Sequence, residues 1–522
     1  PADFLNRRFY LYLIDILFYI LYNQNNLKVK GDNMKDITYI GTRNRNYRLK
    51  ASEAILKGIC PDGGLFIPEE MPVMERSIDE LSEMNYRDLA YEVMSLFFTD
   101  FTEEELRSCI DKAYDEKFDT DEIAPVVKKD DVYFLELFHG KTIAFKDMAL
   151  SILPHLMKTS AKKNNIKKDI VILTATSGDT GKAALEGFAD VEGTRIIVFY
   201  PDGGVSPVQK QQMVTQKGKN VCVAAITGNF DDAQSAVKSI FTDSEMIDEL
   251  DRKGFMFSSA NSINIGRLIP QVAYYWYAYC RLVKNGYINS GDKINFTVPT
   301  GNFGNILAGY FAKQMGLPVN KFICASNSNK VLYDFFRTGI YDKNREFILT
   351  VSPSMDILIS SNLERLVCML TSQEENAKLM KSLAENGKYS VSVKADDIVG
   401  EYADEEETFT AIRTMYANAD YVIDTHTAVA YAAYNKYVNE SKDETPTVIV
   451  STASPYKFAK DVCTAIDEKY RNVDAFELMN ELEKISGVKI PAPVKDIEKR
   501  EVLYNNLCER EKIKDFVRNQ LK

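Results

Sequence analysis

The sequence predicts an α/β protein whose sheets are mostly parallel. From about residue 130 onward, apolar runs of strand length alternate with helical stretches. Turns rich in glycine and hydroxyls repeatedly end such a run and open a helix, the place where open α/β sheets hold ligands. Ahead of this rhythm, residues 34–125 read as a mainly helical N-terminal domain. Ser52-Glu53-Ala54-Ile55-Leu56 starts a short helix that stops at Gly58, and Pro61-Asp62-Gly63-Gly64 makes a turn before the run Leu65-Phe66-Ile67. Charged amphipathic stretches follow over 78–98 and 102–115. Strands are then expected at 132–138, 170–174, 195–200, 221–226, 294–298, 322–325, 389–393 and 447–450. Helices are expected at 144–162, 182–190, 206–217, 231–250, 266–285, 304–315, 376–386, 406–417, 427–438 and 455–467. An α/β core therefore spans 126–475, and 476–522 reads as a charged, helical C-terminal segment.

Bulk composition narrows the function classes. The 522 residues carry a net charge of -11 and no basic block, so nucleic-acid binding is not expected. Eight scattered cysteines without close pairs fit reduced, cytoplasmic thiols rather than a disulfide frame. Only three histidines occur, in no zinc-binding spacing, so no metal is expected. The apolar run FYLYLIDILFYILY (9–22) contains Asp15 and is shorter than the ~20 residues that span a bilayer. It lacks a small-residue cleavage site, and Met34 opens the part that reads as folded protein. Residues 1–33 are thus expected to be an extension outside the working protein, with a membrane-surface anchor as the rival reading, and no membrane partner is expected of the rest.

Four segments carry chemistry. In FHGKTIAFKD (138–147), Lys146 sits among Ile143, Ala144 and Phe145, where burial disfavours an ammonium and favours a nucleophilic amine. The segment alone equally allows a snorkelling lysine or a pair with Asp147. Ile170–Thr174 leads into Thr176-Ser177-Gly178-Asp179-Thr180-Gly181-Lys182 and a helix, a setting for an anion; Thr176 and Ala183 exclude a nucleotide P-loop. Asn295–Pro299 leads into Thr300-Gly301-Asn302-Phe303-Gly304-Asn305, whose glycines let backbone amides approach a phosphate. Late in the chain, Ser451-Thr452-Ala453-Ser454-Pro455 again joins strand to helix through hydroxyls. A lysine, a phosphate cradle and a hydroxyl able to meet a ring nitrogen are together what pyridoxal phosphate requires.

These segments resemble the threonine synthases, fold-type II pyridoxal-phosphate enzymes akin to the tryptophan synthase β chain. The likeness runs from Met34 through PDGGLFIPEEMP (61–72), FHGKTIAFKDMAL (138–150), TATSGDTGKAALEGF (174–188), GVSPVQKQQM (204–213), NSINIGRLIPQ (261–271), TGNFGNILAGYFAK (300–313), DTHTAVA (424–430) and STASPYKFA (451–459). The resemblance implies a large and a small α/β domain with the cofactor in the cleft between them, behind an extra N-terminal domain. It implies Lys146 as Schiff-base lysine and proton shuttle, Gly301, Asn302, Phe303, Gly304 and Asn305 as the phosphate loop, and Thr452 facing the pyridine nitrogen. Thr176, Ser177, Gly178, Asp179 and Thr180 resemble the loop that grips the substrate carboxylate. Lys182, Lys210 and Arg267 are expected to meet the substrate phosphate. His139 and His426 fall in matched motifs and read as core packing, and Asp147 as orienting the lysine loop. Lys141 stands where the family commonly has proline, and Ser454 where histidine is common. The implied reaction turns O-phospho-L-homoserine and water into L-threonine and phosphate, in a monomer or homodimer. A phospholyase releasing phosphate with a keto acid would keep the same residues, and so would an inactive binding protein in part.

Overall fold

The computed structural model describes residues 36–521 apart from 177, 229, 242, 393 and 394. The extension expected over 1–33 lies outside the described residues. Two parallel sheets form where the sequence is richest in doubly buried runs. One contains, in spatial order, β16 (Asn506–Cys508), β8 (Val221–Ile226), β7 (Thr194–Pro201), β6 (Asp169–Ala175) and β9 (Phe255–Ser258), all parallel. The other runs β14 (Ile398–Tyr402), β11 (Val319–Ser326), β10 (Ile294–Pro299), β15 (Thr447–Ser451), β5 (Val132–Glu136) and β4 (Val126–Lys129). Only its edge strand β4 is antiparallel. All six residues of β10 are buried, as a central parallel strand covered on both faces requires.

The N-terminal region folds onto this body through aromatic packing. Tyr86, on the helix Tyr86–Phe97, meets Tyr114 and Tyr277 edge-on at 5.1 and 5.2 Å. A small antiparallel sheet is formed by β1 (Tyr39–Gly41), β2 (Arg48–Leu49) and β3 (Phe66–Pro68). Among the described residues, no helix is long and apolar enough to cross a membrane, and no His/Cys/Asp/Glu cluster is arranged to hold a metal.

Several expected elements divide or move. The helix expected over 144–162 starts late because residues 143–145 pair with the Thr452 turn, and it is two, Asp147–Leu150 and Leu153–Lys163, the second with Pro154, which has no N–H to continue the first, in its opening turn. The helix expected over 231–250 is also two: Asp243 caps the second, Ser244–Arg252, with its carboxylate accepting from Met246 N. Pro270 opens a new helix within the stretch expected over 266–285. The strand expected over 389–393 is β13 (Lys388–Ser390), paired antiparallel with β12 (Ile340–Asp342) outside both parallel sheets. The tail is not purely helical. Between the helices Ala475–Ser486 and Ile513–Gln520 it supplies β16, parallel to β8, with Leu507 outward and Cys508 inward.

One half-buried cluster makes stability depend on pH. His139 lies with Nδ1 2.6 Å from Asp119 and Nε2 2.9 Å from Glu136, whose other oxygen accepts from Tyr421 at 2.6 Å. Burial alone would lower its pKa, but the two carboxylates overcome that and raise it from 6.5 to about 9. A folded value above the unfolded one gives stability that is complete below about pH 6.5 and lost as pH rises through 9. Melting temperature is expected to fall across that window in the wild type. In His139→Asn that slope should disappear, as a thermal-shift series at several pH values would read.

Candidate active site

Strands β10, β15 and β5 are immediate neighbours, so their C-terminal ends bring three distant segments to one edge. The Thr300–Asn305 turn follows β10, Thr452 follows β15, and Lys146 ends the loop after β5. The lysine loop is stitched to the Thr452 turn: Phe145 N donates to Thr452 O at 2.8 Å, and Ser454 N to Ile143 O at 3.0 Å. Ile143 takes φ 52°, a costly value for a β-branched residue, and the stitching holds it there. Asp147 accepts from Thr142 N and Oγ1 at 2.7 and 2.6 Å, orienting this loop as expected, and burial pushes its carboxyl up to about 6.

Lys146 is buried at the wall of a cleft of about 330 Å³. Its amine lies 3.3 Å from Asp179 Oδ2 and 3.2 Å from Ser354 Oγ, with the Phe145 ring 4.8 Å away. Burial lowers its pKa below the usual lysine value; Asp179 opposes the shift, while Lys457 and Arg267 reinforce it. That environment favours a neutral, nucleophilic amine.

The glycine turn forms a cradle of unpaired donors. The backbone N–H groups of Gly301, Asn302, Phe303, Gly304 and Asn305 have no acceptor among the described residues, and they lead into the helix Gly304–Gln314. Phe303 adopts φ 64° at the cap, held by a stacked contact with Phe336 at 5.9 Å. Asn305 Oδ1 accepts from Tyr274 and Tyr275, both at 2.7 Å, whereas its buried Nδ2 has no partner. The Thr452 hydroxyl, also lining the cleft, bonds to no described residue. Orphaned amides, an orphaned amide nitrogen and a free hydroxyl fit a phosphorylated pyridine ring.

The other sheet contributes the opposite wall. Thr176 Oγ1 accepts from Gly178 N and Gly181 N at 3.0 and 2.9 Å, shaping the turn. Gly178 has φ 131°, and a Cβ there would lie 2.4 Å from Gln209. Thr176, Asp179 and Thr180 line the cleft; Ser177 lies outside the described residues. Arg267 also lines it, buried, with an N–H to Ala260 O at 2.9 Å and no carboxylate partner among the described residues. Burial pulls its guanidinium down to about 10, still charged at neutral pH.

Lys182 and Lys210 do not line the cleft. Lys182 points along its helix to Glu186 at 2.9 Å and to Gln216, and Lys210 lies 3.4 Å from Asp202 at the surface. Lys141 is exposed, and Ser454 Oγ accepts from Tyr456 N, so neither departure reaches the amine. Sequence reasoning overlooked Ser354 and Lys457. It also gave His426 only a packing role, although its ring lines the cleft: Nε2 accepts from Ser354 N at 3.2 Å while Nδ1 faces Asp424 at 3.0 Å. The matched motif YKFA contained Lys457 (456–459), but a lysine in an unremarkable helix start gives no local signal.

Three protein families match in succession: "Threonine synthase N terminus" over residues 38–114, "Pyridoxal-phosphate dependent enzyme" over 119–453 and "Threonine synthase, C-terminal" over 427–517. Threonine synthase of Saccharomyces cerevisiae is 35% identical, covering 91% of this chain and 98% of its own length. Threonine synthase-like 1 of Homo sapiens is 39% identical over 81% of this chain and 58% of its own. Among solved structures, pyridoxal-phosphate-bound threonine synthase from Brucella melitensis superposes with a TM-score of 0.81 at 33% identity, covering 93% of this chain and 100% of its own. Threonine synthase from yeast gives 0.83 at 33%, covering 94% and 99%.

Proposed function

This chain belongs to the threonine synthase family and is a pyridoxal-phosphate-dependent lyase; we propose that the cleft around Lys146 converts O-phospho-L-homoserine and water to L-threonine and phosphate. The observation that carries this reading is the convergence on one cleft of a buried amine, a cradle of backbone amides without acceptors and a buried arginine without a carboxylate partner, both absences among the described residues. When bound, the cofactor draws electrons from an amino acid held through its nitrogen, which makes protons at Cα and Cβ labile and lets a group on Cγ leave. The amides of residues 301–305 and Asn305 Nδ2 would hold the cofactor phosphate, and Thr452 Oγ1 would serve its ring nitrogen. A hydroxyl there does not enforce protonation as a carboxylate would.

Lys146 takes the proton from Cα and handles a second at Cβ, which needs an amine able to exist neutral at working pH. The Thr176–Thr180 turn receives the substrate carboxylate at the start of the helix Asp179–Phe188. Arg267 receives the substrate phosphate, since a buried guanidinium without a carboxylate is completed by an anion. Lys182 and Lys210 are left to structural and surface pairs. Cytoplasmic residence is supported by eight free, buried cysteines, and monomeric or dimeric assembly is part of the same reading.

An assay of phosphate and amino acid together tests the reaction. Threonine formed mole for mole with phosphate supports the reading, and phosphate accompanied by a keto acid makes the protein a phospholyase. Arg267→Met is expected to raise KM for the phosphorylated substrate about 10- to 100-fold, the worth of a charge-assisted hydrogen bond of ~1.5–3 kcal/mol, with a smaller change in kcat. An unchanged KM would move the phosphate contact elsewhere.

A further inference from the structure

Beside the amine just described lies a second lysine, Lys457, whose side chain is fully buried and which the reading so far leaves without a task. Resting on the assignment of Lys146 as the cofactor-holding amine, we propose that Lys457 is a positioning residue that occupies Asp179 and so frees Lys146 to work as a neutral amine.

The geometry divides one carboxylate between two amines. Asp179 Oδ1 lies 3.1 Å from Lys457 Nζ and accepts from Gln209 Nε2 at 2.9 Å. Asp179 Oδ2 lies 3.3 Å from Lys146 Nζ and accepts from Ser354 Oγ at 2.8 Å. With Lys146 as its only cation, a buried carboxylate would hold that amine as an ammonium, because separating such a pair in low dielectric is costly. With both lysines present, a second buried proton carries a desolvation cost and gains no further counter-charge.

The neighbours decide which lysine gives up its proton. Lys457, from the turn Pro455–Phe458, has a further acceptor in Thr142 O at 2.8 Å. Among the described residues Lys146 bonds, besides Asp179, to the Ser354 hydroxyl alone, and it feels the positive charge of Arg267 from the short helix Ile265–Leu268. His426, at the start of the helix Thr425–Ser441, presents Nε2 to Ser354 N and adds no carboxylate. No other carboxylate of the described residues contacts the Lys146 amine. Asp179 itself stays ionised: burial works against it, but the Lys457 ammonium, the largest of the opposing influences, holds its pKa well below the usual value. Lys457 also removes net negative charge from a site that must admit a substrate bearing a carboxylate and a phosphate.

The test uses apo-protein and added pyridoxal phosphate over a pH series, following the rate of Schiff-base formation by absorbance. Borohydride reduction and peptide mass spectrometry map the lysine that reacts. Lys457→Met is expected to shift the midpoint upward by about one pH unit, an approximately tenfold slower reaction at neutral pH. Lys457→Met combined with Asp179→Asn should return the midpoint to the wild-type position or below it. A lysine that merely anchored Thr142 would not be rescued by removing the carboxylate. An unmoved midpoint in Lys457→Met, or a moved one that the double variant leaves unrestored, overturns the proposal. Should Lys457→Met lose its far-UV signature of folding, Lys457→Gln, which keeps an N–H for Thr142 O without the charge, takes its place in the same pH series, and an unmoved midpoint overturns the proposal. Reaction at a lysine other than Lys146 in the wild type would instead sink the assignment of Lys146 itself.

Discussion

Lys146→Ala is expected to lower turnover by at least ~10⁴-fold, the combined loss of a nucleophile and of a general base, and to abolish the visible band of the cofactor linkage. The protein should nonetheless fold. Asp179, which loses one partner, keeps Lys457 at 3.1 Å, Gln209 at 2.9 Å and Ser354 at 2.8 Å. The backbone around residue 146 is fixed by bonds of its neighbours, Phe145 N to Thr452 O and Asp147 to Thr142, which the substitution leaves in place. A thermal unfolding curve close to wild type, with no Schiff-base absorbance and no phosphate release, is therefore the predicted signature. Phosphate release near the wild-type rate would show that the amine is not the working group. Added pyridoxal phosphate should still bind the cradle non-covalently, since none of its donors belongs to Lys146.

The parts of this site that sequence could reach are those fixed by local rules. A strand followed by a glycine turn and a capped helix announces TGNFGN (300–305), and the structure places its unpaired amides at the cleft. Lys146 drew notice as a charge inside an apolar segment, but that segment equally allowed a snorkelling lysine, and the role expected of it came from the family motif around it. Ser354 and Lys457 were not, because their roles arise only when the chain closes on itself: Ser354 meets Lys146 across 208 residues, and Lys457 meets Thr142 across 315. Two of the three cations expected at the substrate phosphate lie off the cleft for a different reason. Lys182 and Lys210 lie in matched motifs, but the direction of a side chain on its helix, not its distance along the sequence, decides what it touches. Strand order was hidden as well. The adjacency of β10, β15 and β5 puts segments near 146, 301 and 452 together, and no periodicity within any one of them reveals its neighbour.

The two glycines of the cradle look alike in sequence and should behave very differently. At Gly301, a Cβ would lie 2.4 Å from Ser354 O and 3.4 Å from Met355 Cα, both backbone atoms that cannot swing aside. The Gly301 carbonyl is also tied to Ser360 Oγ at 2.7 Å, so the turn cannot simply drift away from the clash. Gly301→Ala must therefore push back the Ser354 turn, and with it the hydroxyl that bridges Lys146 and Asp179. Overpacking of this kind costs ~1–3 kcal/mol, which predicts cofactor binding about 10- to 100-fold weaker. At Gly304 the nearest atoms to a Cβ are Ser262 Cβ at 3.4 Å and Asn362 Nδ2 at 3.5 Å, ordinary contacts, and its φ is not in the left-handed range. Alanine there opens the helix Gly304–Gln314 with a better helix former than glycine, so Gly304→Ala is expected to leave cofactor affinity nearly unchanged. Fluorescence titration of the two apo-proteins with pyridoxal phosphate reads the contrast. Equal losses in both would mean that the cradle needs bare backbone throughout, whereas a loss confined to Gly301→Ala ties affinity to the packing of the Ser354 turn against the phosphate loop.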